Sequence, residues 1–543
     1  MYMINLNKQR RFLILLCASV FALMNVSAQD NNYWNLMPGS RSSVMGGAVV
    51  GGVRDNSAIF YNPGALGFVD SNTISVNASL YNYEHEKIVN GGGTGVTFTS
   101  GLFLPIPLLQ ISGIIRIKNK PRHTLGFMIF TKNQTSNNFS YRNDTSLPSS
   151  TLLAGDGYTA TNPNVEYIGE YNLKTTLNEM WVGLSYSYKI NSHISIGASP
   201  FFAYRTQTLT SSFVARTFAD SSSNYYNLSQ DNIPTWSYND NENITFSNLR
   251  ALGKIGVDFD YGNLKVGAAF TTPSVSLFGT AIIERDIAYG GNSIDTVNGN
   301  PFINPTSFNY NDRQQGLKTT YKSPWSASVG IDYTIKKTGT TIAFTGEYFG
   351  AIAPYDLATP KSQAFQRPVW YNGSLPTYYQ ANSDEYLRIM EASQGVANFA
   401  IAVYQVVSRK IDIAASFRSD FTSYKKAAND FWEYQYVDTT LPQGQRLSFS
   451  NINLYHLTVG IIIKNKKSDL YLGVNYTFGA NKSFQPMNDI ANPGDNTNNL
   501  GAVAANNAPN FYYPYGTTGQ YTPLATYKYS SYSLIVGYTH HFN

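Results

Sequence analysis

From Tyr532 to the end of the chain, Tyr532, Leu534, Val536, Tyr538 and Phe542 share one parity, and Ser531, Ser533, Gly537 and Thr539 share the other. A period of two keeps an oily and a wettable face apart on a strand, whereas a helix would scramble them. The pattern recurs in Leu470, Leu472, Val474, Tyr476 and Phe478 against Tyr471, Gly473, Asn475, Thr477 and Gly479. It returns over Trp325 to Ile335, Ile255 to Tyr261 and Val182 to Ile190. Small and hydroxylated residues opposite large apolar ones suit a strand lying between a polar lumen and hydrocarbon, because lipid offers polar side chains no partner. Only 13% of the residues are charged and mean hydropathy is −0.24, which fits strands that are apolar on one face.

Alternation predicts strands near 72–84, 96–117, 122–142, 165–190, 193–217, 244–261 and 264–288, then near 313–335, 339–357, 397–408, 411–425, 450–464, 468–482 and 527–542. The fold class expected is therefore all-β, a transmembrane antiparallel β-barrel of about fourteen strands. Short turns at 119–122, 191–192, 262–263, 336–339, 408–410 and 465–467 alternate with long connections near 143–164, 218–243, 289–312, 358–396, 426–449 and 483–526. In such barrels the long loops face outward and the short turns face the periplasm, so both termini are expected on the periplasmic side.

The N-terminus carries Lys8, Arg10 and Arg11, an apolar run from Phe12 to Met24, and Val26-Ser27-Ala28, which reads as a signal peptide cleaved after Ala28. Three regions are expected: 1–28 signal peptide, 29–70 an N-terminal element, and 71–543 the barrel with its loops. The one cysteine, Cys17, lies in the segment to be removed, which excludes disulfides and thiolate metal sites from the mature chain. Removing 1–28 leaves 36 Lys+Arg against 34 Asp+Glu, a balance without a nucleic-acid footprint.

No G-x-S-x-G elbow, H-E-x-x-H or phosphate-binding loop is present, so no enzyme, no cofactor and no metal are expected. On the expected topology His123, His193, His540 and His541 lie at the short-turn end, His85 by the first outer loop and His456 near an outer rim, so they do not converge. The adjacent pair His540 and His541 would point to opposite faces of its strand. Loop aromatics at Trp370-Tyr371, Tyr378-Tyr379, Phe431-Trp432 and Phe511 to Tyr515 either gather apolar ligands or pack the loops together. The stretch Ser383 to Phe399 has room for a short amphipathic helix, and Asn488 to Asn510 reads as a surface loop. Lys189, Lys254 and Lys265 lie on the polar faces of their strands with nothing to rank them.

Between the cleavage site and the first strand stand Met45-Gly46-Gly47-Ala48 and Arg54-Asp55-Asn56-Ser57-Ala58-Ile59-Phe60-Tyr61-Asn62-Pro63-Gly64-Ala65-Leu66-Gly67. Glycines permit close backbone approach, Asn-Pro-Gly favours a tight turn, and the scattered apolar residues need burial, which a barrel lumen would supply. Gly46, Gly47, Ala48, Asp55, Ser57, Ala58, Asn62 and Pro63 match a pattern that resembles the N-terminal hatch of the FadL family of outer-membrane transporters. Gly64 stands where that family usually has alanine, and Asn543 follows the terminal aromatic Phe542.

The resemblance implies an outer-membrane transporter for hydrophobic compounds such as long-chain fatty acids. Cargo would be captured at outer loops, pass a lumen closed by the hatch, and leave by possible lateral exit into lipid. Asn62, Pro63, Gly64, Asp55 and Ser57 would be the hatch or gating residues, with Asn62-Pro63 either its moving element or a rigid anchoring turn. Pro105 and Pro107, which lack amide protons, mark a possible strand irregularity where pairing opens, or an ordinary irregular strand end. The implied partners are a hydrophobic small molecule and outer-membrane lipid, with no nucleic acid. The same hatch pattern occurs in PorV-like barrels of protein secretion systems, for which a stable protein partner is expected instead.

Overall fold

The computed structural model describes residues 31–542 apart from 105–107, 149–163, 220–235, 298–299, 370–376, 426–449, 485–489 and 491–523. The expected signal peptide, Pro105 and Pro107, most of the 488–510 loop and the aromatics at 370–371, 431–432 and 511–515 lie outside the described residues.

Fourteen antiparallel strands form one closed ring. The first half comprises β1 (Asn72–Val89), β2 in two pieces (Phe98–Leu104 and Leu108–Arg116), β3 (His123–Pro148), β4 (Asn164–Lys189), β5 (Ile194–Ala219), β6 (Trp236–Asp260) and β7 in two pieces (Leu264–Thr271 and Val275–Val297). There follow β8 in two pieces (Asn300–Lys318 and Ser326–Ile335), β9 (Thr340–Phe349), β10 (Val396–Val406), β11 (Ile411–Asp420), β12 (Leu454–Lys464), β13 (Ser468–Phe484) and β14 (Ala525–Phe542). Each strand pairs with its sequence neighbours, and β14 closes on β1 from Asn72↔Phe542 to Val89↔Thr526. Closure leaves no free sheet edge, the condition for crossing hydrocarbon with strands.

The alternation translates directly into sidedness. On β8, Val329, Ile331 and Tyr333 are exposed outside, while Ser328 and Asp332 are buried inside. Outward rings interlock across four strands, Phe399 to Phe417 at 6.0 Å, Phe417 to Tyr455 at 5.8 Å and Tyr455 to Phe478 at 6.1 Å. From Tyr455 to the turn beginning at Lys464 is about 30 Å along β12, or about 23 Å once a barrel tilt of ~40° is allowed for, close to the apolar height such barrels present. The outward surface is thus a hydrocarbon-facing band bounded by an aromatic girdle at one end and the cation-bearing turns at 336–337, 409–410 and 466–467 at the other.

Several expectations are corrected. The stretch 289–312 is not a long connection, because β7 runs to Val297 and β8 resumes at Asn300, the two paired continuously from Val297↔Asn300 to Ala288↔Asn309 and beyond. Strand 339–357 is divided: β9 ends at Phe349, and Ile352–Ala358 leaves the ring to pair with Ile389–Ser393. The loop 358–396 carries that pairing and a second hairpin, Ala364–Val369 with Thr377–Asn382. Of the helix expected between Ser383 and Phe399, only Ser383–Tyr386 is helical, since the chain re-enters strand at Ile389 and at Val396. The ring is uneven in height, with 26 residues in each of β3, β4 and β5 but 10 or 11 in β9 to β12.

Residues 31–70 lie inside the ring. Helix α1 (Ser40–Val44), helix α2 (Ala58–Tyr61) and a 3-10 turn (Pro63–Phe68) are joined by irregular chain whose Val44, Val49, Val50, Ala58, Ile59 and Leu66 are fully buried. Such short helices have little stability of their own and are held by the wall. The segment meets inward positions around much of the circumference: Ser40 beside Gly537 of β14, Val44 beside Gly460 of β12, Val50 beside Gly330 of β8, Ile59 beside Gly126 of β3. After α1 the chain reverses at Gly46 and Gly47, whose φ values of 58° and 82° are open to glycine at low cost.

Candidate functional site

The Asn62-Pro63-Gly64 turn is a joint between the segment and the wall. Asn62 is extended (φ −151°), Pro63 opens the 3-10 turn with its fixed φ, and the Asn62 Oδ1 accepts from the Gly64 amide at 3.1 Å. The Asn62 amide nitrogen donates at 3.1 Å both to the Val50 carbonyl of the same segment and to the Val257 carbonyl of β6. Backbone approaches backbone here, because a methyl group on Gly64 would stand 2.8 Å from the Gly256 carbonyl oxygen. The Gly51 and Gly330 backbones meet likewise, with a methyl on Gly51 falling 2.7 Å from the Gly330 carbonyl carbon.

A second attachment is ionic. Arg54 reaches Asp258 at 2.7 Å and Asp260 at 3.1 Å, and Asp258 is fully buried. The neighbouring Asp55 accepts from the Ser57 amide at 3.0 Å. Burial pushes the Asp55 carboxyl above the usual range, and the nearby positive charge of Arg41 opposes this in part. The five residues singled out in this stretch are thus brought together, as one folded unit docked on β6 and its neighbours.

On the other side of the segment lies a cavity of about 90 Å³. Its floor is Phe60, whose ring packs on Tyr61 at 4.9 Å, Phe130 at 5.0 Å, Trp181 at 6.0 Å and Phe201 at 6.3 Å. Two ammonium groups stand by that same ring, Lys254 at 4.6 Å and Lys132 at 5.6 Å from its centroid. Lys132 donates to the Tyr33 carbonyl, whereas no carboxylate pairs with either lysine among the described residues. Of the other charges of the lining, Glu179 binds both Arg205 at 3.0 Å and Arg250, whereas Glu347 accepts from the neutral donors Trp34 at 2.8 Å and Ser326 at 2.6 Å. The cavity therefore offers an apolar aromatic wall and an excess of cations, Lys132, Lys254, Lys322, Arg205 and Arg250 against Glu179 and Glu347, a combination fitted to an anionic head on an apolar body.

The wall is irregular beside this cavity. β3 pairs with the second piece of β2 up to Phe130↔Gln110 and then bulges at Lys132, between Thr131 and Asn133. Among the described residues no register joins β3 to the first piece of β2, Phe98–Leu104, which pairs only with β1. The bulge turns Lys132 into the interior.

Of the three lumen lysines, Lys254 lines the cavity, Lys189 stands over Phe68 at 4.9 Å, and Lys265 belongs to the short-turn end beside Asp260. Phe60 and Lys132 were not singled out in the sequence; a lysine interrupting an otherwise alternating strand is the signal that marks the latter. His456 stands next to the girdle ring Tyr455, at that end of β12, and its side chain is turned inward and buried, bonded to Arg418 at 2.9 Å and Thr477 at 2.8 Å.

No protein-family model matches the chain, and no curated protein matches it in sequence. Among solved structures it is similar to the toluene transporter TodX of Pseudomonas putida, at 14% identity and TM-score 0.49 over 94% of this chain and 99% of that one. It is also similar to the toluene transporter TbuX of Ralstonia pickettii, at 12% and 0.47 over 94% and 100%. A Pseudomonas aeruginosa FadL homologue stands at 11% and 0.46 over 96% and 100%.

Proposed function

We propose that the protein is a FadL-type transporter of the bacterial outer membrane that takes up hydrophobic molecules with an anionic head, long-chain fatty acids being the cargo. In this reading residues 1–28 are removed on export, 29–70 are the hatch, and 71–543 are the barrel. The observation that carries it is the pair flanking the Phe60 ring, the half-buried Lys132 and the buried Lys254, with no carboxylate in contact with either among the described residues, beside an aromatic cluster. A carboxylate would satisfy both, and an alkyl chain would lie on Phe60, Trp181 and Phe349. The stretch between β3 and the first piece of β2, crossed by the Asn138 amide donating to the Ser100 hydroxyl at 3.3 Å but by no ladder register among the described residues, is the exit. An alkyl chain leaving there passes into lipid with a gain of about 25 cal/mol per Å² over crossing water. Asn62, Pro63 and Gly64 anchor the hatch while Asp55 and Ser57 shape the chain that leads to them.

The test is a binding titration on purified protein with palmitate and with hexadecanol, on wild type and on Lys132→Gln/Lys254→Gln. Loss of two charge-assisted hydrogen bonds of about 1.5 kcal/mol each weakens palmitate by about a hundredfold and leaves hexadecanol within about threefold. Equal losses for both ligands, or an empty barrel isolated with a stoichiometric protein partner, would overturn the proposal, the latter in favour of a PorV-like secretion role.

A further inference from the structure

Above the aromatic girdle the outward face of the tall strands β3 to β6 changes character. Within the membrane band their outward residues are apolar, while the inward ones mix polar and small side chains with the buried Met128, Phe130, Trp181, Phe201 and Leu252. Beyond it Phe139, Tyr171, Leu173, Leu209, Ile244 and Phe246 are buried inward. The outward face becomes a grid set by the pairing register. Its lowest row is Gln134, Asn178, Thr206 and Ser247, and its highest is Ser140, Asn172, Ser212 and Asn241. Between them run Ser136, Thr176, Thr208 and Thr245, then Asn138, Lys174, Thr210 and Asn243. Four strands by four rows, every position is a hydroxyl or amide except Lys174.

The grid has sharp limits. The row beneath it is Thr131 on β3 and the apolar Met180, Tyr204 and Leu249 on β4 to β6, the last of the hydrocarbon-facing residues. The row above brings back charge, with Arg142 bound to Glu170 at 2.7 Å. At about 3.4 Å per residue and about 4.8 Å per strand the grid measures roughly 20 by 14 Å. A surface facing water alone would carry charges at about a quarter to a third of its positions. A protein interface would carry aromatic or aliphatic anchors. A phosphate-binding surface would need more than one cation. Neutral donors and acceptors in a regular array, continuous with the lipid-facing band and beginning where it stops, match sugar hydroxyls at the level of a glycolipid's saccharide.

We propose that this face binds the neutral sugars of outer-leaflet glycolipid, holding saccharide against β3 to β6 while the acyl chains pack on the row below. The proposal rests on the outer-membrane placement given above. Its test is native mass spectrometry of the detergent-solubilised full-length mature protein with two probes, lipopolysaccharide bearing neutral core hexoses and the same glycolipid trimmed of those hexoses. The variants are Thr176→Glu/Thr208→Glu/Thr245→Glu and Thr176→Val/Thr208→Val/Thr245→Val, the second preserving β-branched side chains so that folding is retained. Expected is weaker binding of the sugar-bearing probe by about tenfold or more in both variants, with the trimmed probe bound as by wild type. The proposal is overturned if wild type binds both probes alike, if neither variant discriminates, or if a protein partner occupies this face and is lost in the variants. Fatty acid retained in the lumen is read from the same spectra, so that failure of the transport reading is seen separately from failure of this one.

Discussion

Replacing Asn62 by alanine tests whether one side chain joins the N-terminal segment to the wall. The substitution removes two bonds donated to the wall, to the Val257 carbonyl at 3.1 Å and the Asp258 carboxylate at 3.4 Å, and two bonds inside the segment, to the Val50 carbonyl and from the Gly64 amide. Only the wall bonds distinguish the docked state from a displaced one. At about 1 kcal/mol for the neutral bond and about 1.5 kcal/mol for the charged one, docking loses about 2.5 kcal/mol, a factor of about 70 in that equilibrium. The barrel ladder is untouched, so global unfolding is a poor readout and local opening a good one. The mature chain has no cysteine if residues 1–28 are removed, and a single thiol introduced by Val50→Cys reports on the Val50 contact with Gly330. Its labelling by a water-soluble maleimide is limited by opening of the segment. Asn62→Ala is expected to accelerate it by about 70-fold, with the electrophoretic signature of the folded barrel retained. Labelling within twofold of the Asn62 parent would refute the assignment of this residue as the joint.

Two further outcomes follow from the same docking geometry. Arg54→Ala leaves the fully buried Asp258 without its partner and is expected to cost about 3–5 kcal/mol of docking, whereas Arg54→Met with Asp258→Leu costs much less, both measured by the same labelling assay. Gly330→Val places branched carbon where Gly51 approaches the wall and is expected to expel the middle of the segment, seen as protease cleavage between Ala48 and Arg54 in folded protein, while Val329→Ile, on the lipid side of the same strand, leaves cleavage unchanged.

The strands were legible wherever lipid lies on one side and lumen on the other, because that contrast writes a period of two into the chain. This is why the ring holds the fourteen strands counted from alternation and the six short turns lie where it puts them, although the eighth strand begins early, at Asn300, and the ninth ends early, at Phe349. Legibility failed where the contrast fades. The run from Asn300 to Asn311 is rich in Asn and Pro and reads as a loop, yet it is strand, because beyond the membrane band an outward position no longer needs to be apolar. The interior site was half visible: Asn62, Pro63 and Arg54 stand out locally, but Lys254 gains meaning over Lys189 only from the arrival of Phe60 beside it. Lys132 was concealed by the bulge, which breaks the alternation used to assign sides.

The glycine contacts between segment and wall have an evolutionary consequence. A methyl on Gly51 meets the backbone of Gly330, and one on Gly64 meets the backbone of Gly256, so no side-chain change at the opposite position relieves the contact. Both halves of each pair are therefore expected to stay glycine together across homologues although they lie far apart in the chain. The N-terminal segment would then be portable between barrels only as a matched set with its sockets, and a chimera that transplants one without the other should assemble a sound wall around a displaced interior.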